Sequence, residues 1–391
     1  MTKISLFSQI ISLLPRNSFD KLTDQHQTDK CVKGINSWTH LVSMIFCHLG
    51  QAGSVRDISN GLRSITGNLN HLGMKRAPSK SSISYINKHR SWELFRDYYF
   101  AVLSQVQSQH HFGREKLHRL KRKIFIIDSS LVSLSLSLFD WAHYRSKKGA
   151  IKLHLMLDYD GCLPVFADLT DGKTHDMTIA KAQEYPQESI LVFDRAYVHF
   201  EWMNKLDSKR IYFVTRSKSN MSYRITDRYE IPKKDKGFVL EDVDIELTGV
   251  NSSQVYPKKL RLVKIRDKET HKELVFLTNQ RSWTATTVAE IYKQRWNIEI
   301  FFKSLKQNLR IKSFVGTSSN AVMIQVWTAL LTMLLVSLLK TKAKYKWHLS
   351  NLITFLRLNL FVKIDLFRWL DKPFIDKPTV DGTQLELLFS G

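Results

Sequence analysis

The chain has 391 residues, 43% of them apolar and 24% charged, which exceeds one average domain, suffices for a sizeable core and excludes global disorder. Its 59 Lys and Arg against 36 Asp and Glu give a net charge of +23, a surplus that draws polyanions, so nucleic acid is the first partner to consider and an anionic membrane surface the second. Cys31, Cys47 and Cys162 show no CxxC and no paired Cys/His spacing, which argues against a disulfide framework or structural zinc and fits a reducing cytoplasm.

In chain order, "MTKISLFSQIISLLPRNSF" reads as a helix rather than a signal peptide, because Ser8, Gln9 and Ser12 interrupt its apolar run. Residues 1–115 are helical in pattern, with apolar spacing clearest in "SWTHLVSMIFCHLGQ" and "SWELFRDYYFAVLSQV". Between them lie a helix from Val55 to Ser64, a Gly-containing connection and a second helix capped by Ser79 after Pro78. That second helix carries Lys80, Ser81, Ser84, Tyr85, Asn87, Lys88 and Arg90. Short polar donors and cations of this kind reach phosphates and base edges, so the pair looks like a helix-turn-helix variant with Lys80, Lys88 and Arg90 as DNA contacts. The alternative is a small helical bundle with a solvated polar face.

After the cationic linker "HFGREKLHRLKRK" the period changes from helical to alternating. "KIFIIDSS", continuing into "LVSLSLSLF", then "AIKLHLMLDYDG" and "CLPVFADLT" read as three antiparallel strands. A helix in "HDMTIAKAQEY", the strand "SILVFDRAY", a helix in "VHFEWMNKLDSK" and the strand "RIYFVTRSK" follow. The order β-β-β-α-β-α-β is that of a ribonuclease-H-like layered α/β fold. Residues 217–275 are β-rich ("RYEIP", "KGFVLEDVDIEL", "KKLRLVKIRD", "KELVFLTN") and read as an insertion.

A long helix is expected from Ala285, capped by Thr284 or Ser282. The stretch "AVMIQVWTALLTMLLVSLL", 321–339, is apolar and just long enough to span a bilayer. Gln325, Thr328, Thr332 and Ser337 favour a buried core helix, with no membrane anchor. The expected domains are therefore 1–115 (helical), 120–345 (α/β, with the β insertion) and a helical tail at 346–391, poorly ordered after Pro378.

Two carboxylates stand out by position: Asp128 after "IFII" and Asp194 after "ILVF", at the ends of the first and fourth strands. Such an Asp is often only a turn residue or cap, and Asp158, Asp168 and Asp176 also lie near strand ends. A third candidate, Glu299, falls in a stripe with Tyr292, Arg295, Lys303 and Lys306 at steps of three and four. An i,i+4 ion pair with Arg295 or Lys303 would explain Glu299 alone. Three carboxylates holding two hard divalent ions, with Arg and Lys on flanking phosphates, would explain the whole stripe.

Tyr292, Arg295, Glu299 and Lys306 are separated by two, three and six residues, which resembles the Y-R-E-K signature of IS-four-type bacterial insertion-sequence transposases. "IFIIDSS" and "LVFDRAY" resemble that family's first and second Asp motifs, and the likeness runs over about residues 5–345. The resemblance implies a ribonuclease-H-like DDE catalytic domain preceded by an all-α DNA-binding domain. It implies Asp128, Asp194 and Glu299 as catalytic metal ligands for Mg²⁺, with Mn²⁺ able to replace it. It also implies DNA cleavage at terminal inverted repeats and joining to target double-stranded DNA, by a homodimer on DNA in the bacterial cytoplasm and nucleoid. Tyr292, Arg295, Lys303 and Lys306 are the expected DNA-binding partners. Arg195, Arg216 and Lys218 are lesser ones. Trp283 is a candidate for stacking on a flipped base, against a packing role at the helix start; His175 and Asp176 are read as structural. The competing classes are a DNA-binding protein with a repurposed, inactive domain, a nuclease that does not join ends, and a membrane-anchored basic protein.

Overall fold

Among the described residues, six α-helices precede the first strand. They are α1 (Leu6–Ser12), α2 (Arg16–Gln25), α3 (Ser37–Leu49), α4 (Val55–Arg63), α5 (Lys80–His89) and α6 (Glu93–Gln109). The computed structural model describes residues 4–32, 34–65, 69–109, 117, 120–134, 149–309 and 314–374. Most of the linker 111–123, the strand pattern beyond Leu134 and the tail beyond Phe374 lie outside these residues. Side-chain caps start the helices where the sequence offers short acceptors: Ser5, Asn36, Ser54 and Ser79 each accept from the backbone three residues on.

The sheet comprises β1 (Ile124–Leu134), β2 (Gly149–Asp158), β3 (Leu163–Asp171), β4 (Ile190–Phe193), β5 (Tyr212–Arg216), β6 (Tyr223–Arg228), β7 (Val239–Leu247), β8 (Leu260–Arg266) and β9 (Glu273–Thr278). Helices α7 (Asp176–Ala182), α8 (Phe200–Ser208) and α9 (Val250–Val255) lie between strands. Helices α10 (Ala285–Lys293), α11 (Trp296–Asn308), α12 (Ser319–Lys342), α13 (Leu349–Asn359) and α14 (Leu366–Asp371) follow them. The strand order is β3-β2-β1-β4-β5-β9-β8-β7-β6. β1, β4 and β5 are mutually parallel and the remaining pairs antiparallel. The fold is thus mixed α/β, and the expected order β-β-β-α-β-α-β is present from β1 to β5.

Strand alternation sorts the core into two layers. Ile124 and Ile126 of β1 and Ile190 and Val192 of β4 face α10–α12 and the N-terminal helices. Phe125, Ile127, Leu191 and Phe193 face α7 and α8, against Met177, Trp202 and Met203. β4 is apolar on both faces because it is central and covered on both.

The β-rich segment lies between β5 and α10, as an insertion, and because β9 pairs with β5, β6–β9 extend the sheet. Its first strand is "YRITDR" rather than "RYEIP", where Pro232 has no N–H for a ladder. The helix expected from Ala285, with its Thr284 cap in place, tightens near Gln294 and divides. Gln294, Arg295, Asn297 and Ile298 bond backbone carbonyls three residues back, a 3₁₀ segment that re-aims α11. The C-terminal helices are packed on the start of the chain: Leu6 and Phe7 N–H donate to Val362 and Leu360 carbonyls, and Gln9 bonds Ile364 and Leu366.

Helix α12 is the one helix among the described residues long and apolar enough to cross a membrane, and 89% of its apolar window is buried. It packs on α3, α5, α6 and α13. Thr328 and Thr332 donate to carbonyls one turn back, His48 bonds Thr328, and Gln325 accepts from Val315 N–H, whereas the buried Trp327 Nε1 meets no partner among the described residues. Each buried Leu there contributes about 1.5–3 kcal/mol. The helices before and after the sheet therefore share one core.

Candidate active site

The parallel strands β1 and β4 run together from Ile124↔Ile190 to Ile127↔Phe193 and then part. β4 ends at once. Asp194 caps a 3₁₀ turn at Arg195–Tyr197, its carboxylate accepting from Ala196 N–H at 3.0 Å. β1 continues to Leu134 on β2 alone. Asp128 is therefore not at a strand end, as expected, but in mid-strand, at the first position beyond the parallel pairing. Both aspartates sit where the carboxyl ends of parallel strands diverge, the usual place for a ligand crevice in an α/β sheet.

Glu299 arrives from above. Asp128 shares its face with Ile124 and Ile126, and α11 packs over β1 on that face. Arg295, at the junction of α10 and α11, bonds the Glu299 carboxylate and holds its Nη1 3.7 Å from Asp128 Oδ2. The Asp128 carboxyl is pushed up to about 6 by burial, with the charges of Asp194 and Glu299 adding to the rise and Ser129 N–H and Arg295 opposing it. Asp128 thus feels the charges of both Asp194 and Glu299. Among the described residues, no three His, Cys, Asp or Glu side chains stand close enough to share an ion as they are. Arg295 supplies the positive charge between two of them.

Tyr292 belongs to α10 rather than to the helix of Glu299. Its ring is buried on Phe276 at 4.9 Å, and its hydroxyl meets no partner of normal geometry among the described residues. Burial raises its pKa, with the Asp194 charge adding and Arg295 and Arg216 opposing, which sets it beside the same space. Lys306 is turned onto β1: Nζ donates to Ser130 Oγ at 2.6 Å and to the Leu131 carbonyl at 2.7 Å. Lys303, Arg195 and Lys218 are exposed and Arg216 half-buried. Lys218 Nζ donates to Val198 carbonyl at 2.9 Å. With Arg195, Ser219 and Asn220 it lines a cleft of about 400 Å³ that opens onto Asp194.

Two expected contacts lie elsewhere. Trp283 packs on Tyr212, ring centroids 6.0 Å apart. Tyr212 pairs with Ile190 at the start of β4, the opposite end of the strand from Asp194, so Trp283 is outside this site. Arg90 is buried beyond the end of α5, donating to Ile35 carbonyl at 2.7 Å and pairing with Asp29 at 3.4 Å. It faces inward because the chain leaves the helix there. Lys80 and Lys88 do point outward from α5, together with Tyr85, which is 66% exposed.

Ser129, Lys152 and His154 were not singled out by sequence pattern. They surround Asp176 on the far face of β1, and strand alternation alone would have put Ser129 opposite Asp128.

The profile of the transposase DDE domain matches residues 119–335, and that of a domain of unknown function, DUF4372, matches residues 2–75. The chain is 29% identical over 259 residues (65% of this chain, 70% of the relative) to y4zB of Sinorhizobium fredii, a protein named as a transposase. It is 26% identical over 278 residues (71% and 72%) to the protein named as transposase of insertion sequence element IS5377 in Geobacillus stearothermophilus. A third relative, named for element IS4SA of Synechocystis, is 26% identical over 295 residues (74% and 80%). Among solved structures, the piggyBac transposase synaptic complex with hairpin DNA aligns at a TM-score of 0.41 and 12% identity, covering 96% of this chain and 81% of that one.

Proposed function

The chain belongs to the transposase DDE domain family, and from that premise we propose that Asp128, Asp194 and Glu299 are its catalytic carboxylates. As a member it is a DNA transposase, a metal-dependent enzyme of DNA cleavage and strand transfer. The observation that carries the assignment is that Asp128 and Asp194 stand where β1 and β4 part and that Arg295 bridges Asp128 to Glu299. The strand order β3-β2-β1-β4-β5 supports reading the sheet as ribonuclease-H-like, extended by β6–β9, with residues 1–115 as a helical DNA-binding region.

The donor set suits a hard divalent cation, Mg²⁺ or Mn²⁺, because it consists of carboxylate oxygens alone. Burial raises the Asp128 carboxyl, with Asp194 and Glu299 adding to the rise, and a bound cation would favour its ionised form. When bound, a pair of such ions supplies activation of the attacking oxygen and stabilisation of the leaving one. The chain's own residues do the rest. Asp128 is aimed by β1, Asp194 by the turn it caps, and Glu299 by α11. Arg295 pairs with both Asp128 and Glu299 and so holds the two carboxylates toward each other.

The DNA path in this reading runs over exposed cations on both sides of the carboxylates: Arg195, Lys218 and half-buried Arg216 beside Asp194, and Lys303 on α11. Tyr292, whose buried hydroxyl meets no hydrogen-bond partner of normal geometry among the described residues, lies next to Arg295. Lys80, Lys88 and Tyr85 on α5 form a second contact for double-stranded DNA. The substrates are the terminal inverted repeats of an insertion sequence and a target duplex, and joining two ends calls for a homodimer on DNA in the nucleoid. The test is Mg²⁺-dependent nicking of a duplex carrying the element's end. Asp194→Asn is expected to bind that duplex and not cut it; cutting at the wild-type rate refutes the assignment.

A further inference from the structure

β1 is held unevenly. Through Ile127 it has a strand on each side, β2 and β4, but from Asp128 onward only β2 remains. A half-free strand that carries a functional carboxylate needs anchoring from its faces. On the face of Asp128 the anchor is Lys306, bonded to Ser130 and Leu131.

The opposite face has its own anchor. Ser129 N–H donates to Asp128 Oδ1 at 2.8 Å, and Ser129 Oγ donates to Asp176 Oδ1 at 2.7 Å. Asp176 is fixed in turn by Lys152 Nζ at 3.2 Å, with His154 Nδ1 3.7 Å away. Lys152 also donates to Thr174 carbonyl at 2.7 Å, and His154 Nε2 bonds Thr170 Oγ1 at 2.8 Å. Buried Tyr197, in the turn that Asp194 caps, lines the same small cavity as Ile127, His154 and Asp176. The cluster around Asp176 and the turn of Asp194 therefore meet on this face of β1.

We propose that Asp176 is a positioning residue: through Ser129 it fixes the Asp128 strand beside the Asp194 turn, and so sets how the Asp128 carboxylate meets a divalent ion. The proposal rests on the catalytic assignment above. Outer partners of metal ligands commonly govern affinity by about 10–100-fold, and Asp176 holds that place at one remove.

The test is Mn²⁺ binding to the full chain by calorimetry, with thermal melting and end-duplex binding alongside. Asp176→Ala is expected to weaken Mn²⁺ binding by about tenfold or more, leaving duplex binding unchanged. Asp176→Asn, which keeps an acceptor for Ser129, should lie closer to the wild type, and Ser129→Ala should repeat the loss. Wild-type Mn²⁺ affinity in Asp176→Ala, or equal losses in Asp176→Ala and Asp176→Asn, overturns the proposal. If Asp176→Ala does not fold, Ser129→Ala decides, and unchanged affinity there overturns it as well. Asp128→Asn separates the two claims: if it binds Mn²⁺ normally, the catalytic assignment itself falls.

Discussion

Nη1 of Arg295 lies 3.7 Å from Oδ2 of Asp128, and the same guanidinium bonds Glu299. Even so, burial and the neighbouring carboxylates keep the Asp128 carboxyl up at about 6. The buried Asp128 carboxylate is therefore short of compensating interactions.

That shortage has a stability consequence. Asp128 carries a raised pKa in the folded state, so the unfolded chain ionises it more easily. Its contribution favours folding only while it is protonated, and it is lost as pH rises from about 4 to about 6. At pH 7 the native state bears a cost on the order of 2–3 kcal/mol. Asp128→Asn is expected to raise the melting temperature in EDTA at pH 7, with the gain gone near pH 4. An unchanged or lower melting temperature at pH 7 contradicts this.

Lys303 and Lys306 separate two roles that share one helix. Lys303 is exposed, whereas Lys306 is turned onto β1. Lys303→Ala should reduce the salt slope of end-duplex binding by about one. Lys306→Ala should lower cleavage more than binding, because it loosens β1 beside Asp128. The salt dependence of binding, measured alongside single-turnover cleavage, distinguishes them; a slope changed only by Lys306→Ala reverses the roles.

Lys88 and Arg90 make a similar pair on α5. Lys88→Ala should weaken duplex binding and leave melting unchanged, since its side chain is exposed. Arg90→Ala removes a buried donor from Ile35 carbonyl and from Asp29 and should cost about 1–3 kcal/mol of stability. Chemical denaturation checks both; a destabilised Lys88→Ala or a fully stable Arg90→Ala refutes the surface assignment.

These pairs mark the limits of what was legible in the residues. Strand order through β5 followed from alternation and from the doubly apolar β4, both local signals. Thr284 and Ser79 caps were readable for the same reason. The division at Gln294 and Arg295 was not, because neither residue disfavours helix and no Pro or Gly marks the place. Burial of Arg90 depends on Asp29, 61 residues away. Continuity of the sheet past β5 depends on β9 returning to pair with it. Asp128 and Asp194 stand out in sequence because each follows an apolar strand, but Asp158, Asp168 and Asp176 also lie near strand ends, so position alone does not choose the pair. The link from Asp176 to Asp128 runs through Ser129, across the sheet, where no local pattern shows it.

The central claim is that Glu299 completes the catalytic set with Asp128 and Asp194. Glu299→Gln keeps the helix and a neutral acceptor beside Arg295 while removing the charge. The most direct measurement is Mg²⁺-dependent cleavage of a labelled duplex bearing the element's terminal sequence, with binding of the same duplex measured in parallel. Binding should persist, and cleavage should fall by more than the roughly 100-fold that loss of an outer partner costs. Cleavage by Glu299→Gln at the wild-type rate would contradict the account.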